Sequence, residues 1–341
     1  MSHIFRSDAV NIGDRVVLRR TLPGASERAA QAAHTDIIGH IIGINQGISV
    51  LIRPQSAGGY PSAADAIEVP WPEIHIMKKL SPRTIRNSDI RAIELAYAKA
   101  FPGSEHRWSD CGQWLLRAGD GITERSNSAA PLGPSAPFVE VPVAEIQQFY
   151  ASHQLPPLIL LPERIGKAAL RHVRDLGPEI IVMTRDLATL PTIDEFTPQN
   201  MAVEFRVDDT PDEQWLSLYH FRGATLPTRA LQLLRTEIDG TMGFGRLIIG
   251  GATVAITRGT ITDDYLGYSA VEVAPAYRRR GLGTLLGAHM LRWGAHQGAH
   301  TAYLQVISTN TAGIGLYEKL GFTEHHRHRY GTLNQHRAPE N

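Results

Sequence analysis

Residues 271–284 read Val-Glu-Val-Ala-Pro-Ala-Tyr-Arg-Arg-Arg-Gly-Leu-Gly-Thr. An apolar, β-prone run reaches Pro275, turns through an arginine-rich loop punctuated by Gly281 and Gly283, and enters a stretch, Leu282 to Gln297, that reads as a helix. A strand, loop and helix N-terminus in this order favours a phosphorylated ligand. The first turn of a helix leaves N–H groups without intrahelical partners, and the macrodipole adds partial positive charge there. The two glycines let a bulky anion approach the main chain, and Arg278, Arg279 and Arg280 supply charge around it. The helix carries an apolar face of its own: Leu282, Leu285, Leu286, His289, Met290 and Trp293 recur at helical spacing. Spacing alone leaves open a plainer reading, a solvated basic turn that merely starts a helix.

A second block lies downstream. Residues 301–322, Thr-Ala-Tyr-Leu-Gln-Val-Ile-Ser-Thr-Asn-Thr-Ala-Gly-Ile-Gly-Leu-Tyr-Glu-Lys-Leu-Gly-Phe, give a strand, Asn310, a short helix and a Gly-Phe ending. The first block, with Arg278, Gly281 and Gly283 in the fixed positions of an Arg-x-x-Gly-x-Gly signature, resembles the acyl-CoA pyrophosphate loop of the GCN5-related N-acetyltransferases (GNAT family). The second block resembles that family's other diagnostic motif, in the expected order and separation.

The resemblance implies acetyl-CoA as donor substrate and no metal. Backbone groups of Val271 and Val273 would hold the pantetheine arm, which adds to the strand edge. The pyrophosphate would lie on Arg278, Arg279, Arg280, Gly281, Leu282, Gly283 and Thr284. Asn310 would hydrogen-bond the CoA arm, and it also suits the N-cap of the Thr311–Leu320 helix. Tyr317 stands at the family's position for the acid that protonates the leaving thiolate; the alternative is a residue packing on the CoA arm. Some relatives that acetylate protein N-termini carry Leu-Glu-Val where this chain has Leu304-Gln305-Val306. Gln305 cannot take a proton, so Glu272 becomes the candidate base, unless strand alternation turns it away or a surface ion pair occupies it. Asp263 and Asp264 are further candidates, or turn residues.

Length and composition set bounds on the rest. A chain of 341 residues suggests two or three domains. Basic and acidic residues balance at 34 each, so charge argues for neither nucleic acid nor a membrane surface. Cys111 stands alone, which excludes an intrachain disulfide and a cysteine-based zinc cluster. No apolar run is long enough to span a bilayer. The N-terminus lacks a signal pattern, so the expected location is cytoplasmic.

Residues 1–80 show short β-branched runs between Gly, Asn and Pro turns, the pattern of a small antiparallel barrel. Gly13-Asp14-Arg15-Val16-Val17 and Val69-Pro70-Trp71 resemble SH3-like or Tudor-like modules. The expected role is a packing or dimer-forming appendage, with a protein or peptide partner as the alternative. Leu22 to Thr35 reads as a mobile loop.

Residues 83–195 resemble the degenerate N-terminal half of two-lobed family members. The matching features are Trp114-Leu115-Leu116-Arg117, Arg125-Ser126-Asn127-Ser128, Pro131-Leu132-Gly133 and Phe149-Tyr150. With no Arg-x-x-Gly-x-Gly, this lobe is expected to shape the acceptor pocket or an interface. Within it the pattern predicts a strand over Ile122–Ser128 and a helix over Arg164–Leu176. Leu187 to Asn200 reads as a linker into the acetyl-CoA-binding domain, 200–341, where Pro211 to Tyr219 reads as a helix with proline at its first position.

The whole is therefore an α/β (α+β) GNAT fold, its mixed, mostly antiparallel sheet flanked by helices, preceded by a degenerate lobe and an SH3-like barrel. His325, His326 and His328 invite a metal reading, but alternation places only two of them on one face and no cysteine assists. They would instead line the acceptor end. The implied function is direct acetyl transfer to a primary amine of a small molecule, peptide or protein. A non-catalytic acyl-CoA-binding protein is the alternative.

Overall fold

The computed structural model describes residues 5–6, 9–21, 34–199, 201–221, 224–225 and 228–334. The chain separates into two compact units, Met1–Arg86 and Asn87–Asn341.

The first unit is a five-stranded antiparallel sheet of β1 (Arg15–Thr21), β2 (His34–Asn45), β3 (Ser49–Pro54), β4 (Ile67–Pro70) and β5 (Ile74–Lys79), in the order β4-β3-β2-β1-β5. Val16, Leu18, Ile41, Val50, Ile52 and Val69 form its core. Among the described residues β4 and β5 form no ladder, so the sheet is open where a barrel is expected. Pro70 ends β4, and a 3-10 turn over Trp71–Glu73 redirects the chain so that β5 pairs with β1. Residues 22–33 of the expected mobile loop lie outside the described residues; His34 and Thr35 open β2.

The second unit begins with α1 (Asn87–Ala100), the hairpin β6 (Glu105–Trp108) and β7 (Leu115–Ala118), α2 (Val143–Ser152), β8 (Leu158–Pro162), β9 (Val173–Arg174) and β10 (Ile180–Asp186). It continues through β11 (Glu204–Asp208), α3 (Glu213–Leu218), β12 (His220–Phe221), β13 (Ala224–Thr225), α4 (Thr228–Glu237), β14 (Thr241–Ile249), β15 (Ala252–Thr262) and β16 (Tyr265–Val273). Last come α5 (Leu282–His296), β17 (Thr301–Ile307), α6 (Thr311–Lys319) and β18 (Thr323–Leu333).

Nine of these strands make one sheet, β11-β14-β15-β16-β17-β10-β18-β8, with β9 paired to β18. Of the strands expected in a separate N-terminal lobe, β8 and β10 therefore share the sheet of the C-terminal half, while β7 pairs with β6 as a hairpin of its own. β10 lies between β17 and β18, antiparallel to both. Its composition explains the place. Ile181 and Met183 join the core under α5, while Val182, on the opposite face, packs with Tyr97 of α1 and with Tyr303. A strand apolar on both faces needs cover on both sides and neighbours on both edges. The linker 187–199 is likewise fastened down: Leu187 is buried, and Ile193 and Phe196 pack against the core.

Three local expectations differ from what forms. Ile122–Ser128 is a turn and a short 3-10 segment, because Asn127 Oδ1 accepts from the N–H groups of Gly119 and Gly121, and Asp120 accepts from Ile122. Arg164–Leu176 is a 3-10 segment over Lys167–His172 followed by β9; Arg164 has φ +67°, and Gly166 lies so close to the Leu161 backbone that a Cβ would meet it at 2.8 Å. The helix after Pro211 starts later, capped by Asp212, whose side chain accepts from Trp215 N at 2.9 Å.

Candidate active site

Strands β16 and β17 run parallel but pair only from Tyr265–Gly267 against Thr301–Tyr303. Beyond Gly267 they part, and α6 covers the opening with Leu316 and Tyr317. The resulting cleft, about 920 Å³, is lined by Val271, Glu272 and Val273 of β16, Arg278 to Thr284 except Arg280, Asn310 and Tyr317, among others. All the expected CoA-binding residues but one thus face a single cleft. Arg280 does not line it: its guanidinium lies 5.4 Å over the Tyr277 ring.

At the mouth of the cleft, α5 starts at Gly281, which has φ +80° and open space where a Cβ would stand. No side chain caps this end, and Gly281, Leu282, Gly283 and Thr284 line the cleft. Arg278 closes the loop on β16, its Nε donating to Val273 O at 3.0 Å and its Nη2 3.8 Å from Glu272. At Gly283 a Cβ would meet Leu316 Cδ1 at 2.8 Å, the end of an α6 side chain that lines the same cleft. The expected apolar face of α5 forms: Leu282, Leu285, Leu286 and Met290 are buried, Trp293 packs on the core, and His289 stacks on Phe205 with ring centroids 4.5 Å apart. Asn310 caps α6, its side chain accepting from Gly313 N at 2.9 Å.

A β-bulge decides where Glu272 points. The register between β15 and β16 shifts between Ile256 and Arg258, opposite Ala270, which has φ +56°. Directly opposed residues share a face, so Glu272 lies with Ile256, and Ser269 with Arg258. Val271 and Val273 pack toward the cores on the α5 side. Simple alternation from Tyr268, which also faces α5, would have buried Glu272 under that helix; the extra residue returns it to the opposite face.

On that face a second cavity, about 200 Å³, is lined by Tyr97, Arg125, Tyr219, His220, Arg258 and Gln305, with Tyr268 to Glu272 and Tyr317. Val271, Glu272 and Tyr317 line both cavities, which therefore meet at these three residues. Burial, with Glu272 adding its charge, pushes the Tyr317 hydroxyl up to about 12, so it is a protonated donor at neutral pH. Asp263 and Asp264 do not reach this place. They form the turn that opens β16, Asp263 at φ +51° and paired with Lys99, about 26 Å of strand away from Glu272.

Tyr97, Arg125, Tyr219 and Arg258 were not singled out from the sequence as site residues. Only Arg258 carried a signal: a charge inside Ala252–Thr262, a strand otherwise fit for complete burial.

The histidines do not line the second cavity. His326 and His328 are wholly buried and face α1, where Glu94 Oε1 lies 2.9 Å from His326 Nε2 and 2.7 Å from His328 Nδ1. These three side chains cluster closely enough to hold a metal ion. The short contacts are also those of a hydrogen-bonded carboxylate tying α1 to β18. Burial raises the Glu94 carboxyl, but the His328 charge and the two histidine hydrogen bonds outweigh it and hold the group well below the usual carboxylate range.

Comparison with known proteins agrees with this geometry. A family model described as probable histone acetyltransferase Rv0428c C-terminal matches residues 87–331. The probable histone acetyltransferase Rv0428c of Mycobacterium tuberculosis is 32% identical over 325 residues, covering 94% of each chain. The uncharacterized N-acetyltransferase YobR of Bacillus subtilis is 27% identical over 249 residues, 71% of this chain and 98% of that protein. Among solved structures, a GCN5-related N-acetyltransferase from Kribbella flavida superposes with TM-score 0.54 at 16% identity, over 72% of this chain and 96% of that one. A tandem GNAT protein from the clavulanic acid biosynthesis pathway does so at 0.51 and 17%, over 73% and 89%; both likenesses speak for the fold. The chain thus belongs to the family of the Rv0428c C-terminal region and is an acyltransferase, with a fold like that of the GCN5-related N-acetyltransferases.

Proposed function

We propose that this enzyme takes its acetyl group from acetyl-CoA and transfers it directly to a primary amine, with no covalent enzyme intermediate. One observation carries the reading: the open, cation-rimmed cleft and the smaller cavity meet at Glu272 and Tyr317, a carboxylate and a protonated phenol. The cleft fits the donor, with α5 N–H groups, Arg278 and Arg279 for the pyrophosphate and the unpaired end of β16 for the amide-rich arm.

The acceptor arrives as an ammonium, of pKa about 10.4 when unperturbed. Glu272 takes one proton and passes it to solvent. The nitrogen lone pair then forms the C–N bond to the thioester carbonyl carbon, and a backbone N–H of β16 supports the charge on oxygen. As the C–S bond breaks, sulfur leaves with the bonding pair and takes the Tyr317 hydroxyl proton. The second nitrogen proton passes through Glu272 and restores Tyr317. Ammonium and acetyl-CoA become an N-acetyl amine, the CoA thiol and one proton.

The test is turnover with a panel of amines, measuring free thiol and N-acetylated amine together. Equal amounts of both are expected; thiol release without acetylated amine would be hydrolysis and would overturn the transfer reading. We read the N-terminal sheet as an SH3-like module that serves packing or a partner rather than the chemistry.

A further inference from the structure

The smaller cavity is rich in donors. Arg258 is 1% exposed, lines the cavity, and has no carboxylate within ion-pair distance among the described residues. Its Nε has no hydrogen-bond partner, and Nη1 reaches only the Tyr219 hydroxyl, at 3.5 Å. The Phe101 ring stacks beneath it, 5.2 Å away, and beneath Arg125, 4.9 Å away. Gln305 Nε2, on the same cavity wall, is also buried without a partner.

An arginine cannot shed its proton, and a buried charge without a counter-ion is costly. A site that keeps such a cation facing a cavity is built for an anion from outside. The same cavity holds one carboxylate, Glu272, and on one face of β15 Arg258 stands two residues, about 7 Å, from Ile256, which opposes Glu272. A dianionic phosphate would be repelled by Glu272. A carboxylate fits the planar arginine fork with Gln305 beside it.

We infer that the acceptor is a small amine that also bears a carboxylate, an amino acid in the chemical sense, with its carboxylate on Arg258 and its amine at Glu272. This rests on the acetyl-transfer reading and narrows it. A cavity of about 200 Å³ admits such a head group and not a folded chain.

The experiment uses the full chain with acetyl-CoA and matched pairs of amines: free α-, β- and γ-amino acids against their carboxamides. The wild-type enzyme is expected to prefer the carboxylate member of at least one pair by 10-fold or more in kcat/KM, mostly through KM. Arg258→Met should erase that preference while keeping the thermal shift given by acetyl-CoA, and Arg258→Lys should keep part of it. Should Arg258→Met fail to fold, Gln305→Leu, on the cavity wall, reads the same contact and should reduce the preference by several-fold. Equal or better use of the carboxamides, or a preference that survives both Arg258→Met and Gln305→Leu, would overturn the inference. So would acetyl-CoA binding with neutral amines as the sole acceptors. Absence of acetyl-CoA binding would be a different failure, that of the transfer reading beneath it.

Discussion

The proposed donor cleft and the proposed acceptor cavity share three residues and are built in opposite ways. The cleft comes from two short stretches, 271–284 and 310–319, and its tools are backbone N–H groups, a helix end and exposed arginines. The cavity draws a run of β16 together with single side chains from α1, the turn before residue 130, the end of α3, β12, β15, β17 and α6, and its Arg258 is buried. Binding a common, highly charged donor needs only a local loop. Choosing an acceptor needs groups that only the finished sheet brings together.

The sharpest way to break this division is at the shared residues. Tyr317→Phe should lower kcat by about 10² to 10³, the range of a lost general acid, while the stabilisation by acetyl-CoA persists. Turnover within a few-fold of wild type would leave Tyr317 a packing residue. Glu272→Gln should cost about 10- to 100-fold near neutral pH. The deficit should shrink toward pH 10, where the amine loses its proton unaided; a deficit independent of pH would remove Glu272 from proton transfer.

Next come the two glycines of the cleft. Gly281→Ala should cost about 1–2 kcal/mol, because residue 281 holds a left-handed backbone at φ +80° that a side chain strains even in open space. Gly283→Ala should cost less than about 1 kcal/mol, because the new Cβ meets only the terminal Cδ1 of the partly exposed Leu316, which can turn away, and alanine suits a helix better than glycine. Denaturant melts decide; the reverse order would show that Leu316 cannot give way.

The dependence of stability on pH tests the buried side. Burial and the neighbouring His326 lower the His325 imidazole from 6.5 to about 3. The unfolded chain therefore binds the additional proton between these values, so stability is fully present above about pH 6.5 and is lost as pH falls. Glu94, also lowered by folding, acts in the same direction at more acid pH. Melts from pH 7 to 4.5 should show the loss, with a shallower slope in His325→Phe. An unchanged slope would exclude His325 as its source.

Legibility in the sequence followed the same division. The face of α5, Asn310 as the cap of α6, and the meeting of Arg278, Arg279, residues 281–284 and Tyr317 at one cleft could be read because each is a local pattern with a local cause, whereas Arg280 turns to Tyr277 instead. The placing of β10 between β17 and β18 could not, since an apolar run states that it is buried but not which strands flank it. Glu272 was ambiguous for a related reason: one extra residue at Ala270 reverses the side on which it emerges, and no residue type there announces a bulge. Arg258 was the one signal passed over, a cation in a strand that otherwise reads as core.

The most direct test of the account is a thermal melt of the intact protein with acetyl-CoA at about 100 times its dissociation constant, where one-site linkage gives roughly 2.7 kcal/mol of stabilisation. The account predicts this rise in the wild-type protein and in Tyr317→Phe, and its loss in Arg278→Glu at the same concentration. A folded wild-type protein that acetyl-CoA does not stabilise, or an Arg278→Glu protein stabilised as fully as wild type, would contradict the donor site on which the rest depends.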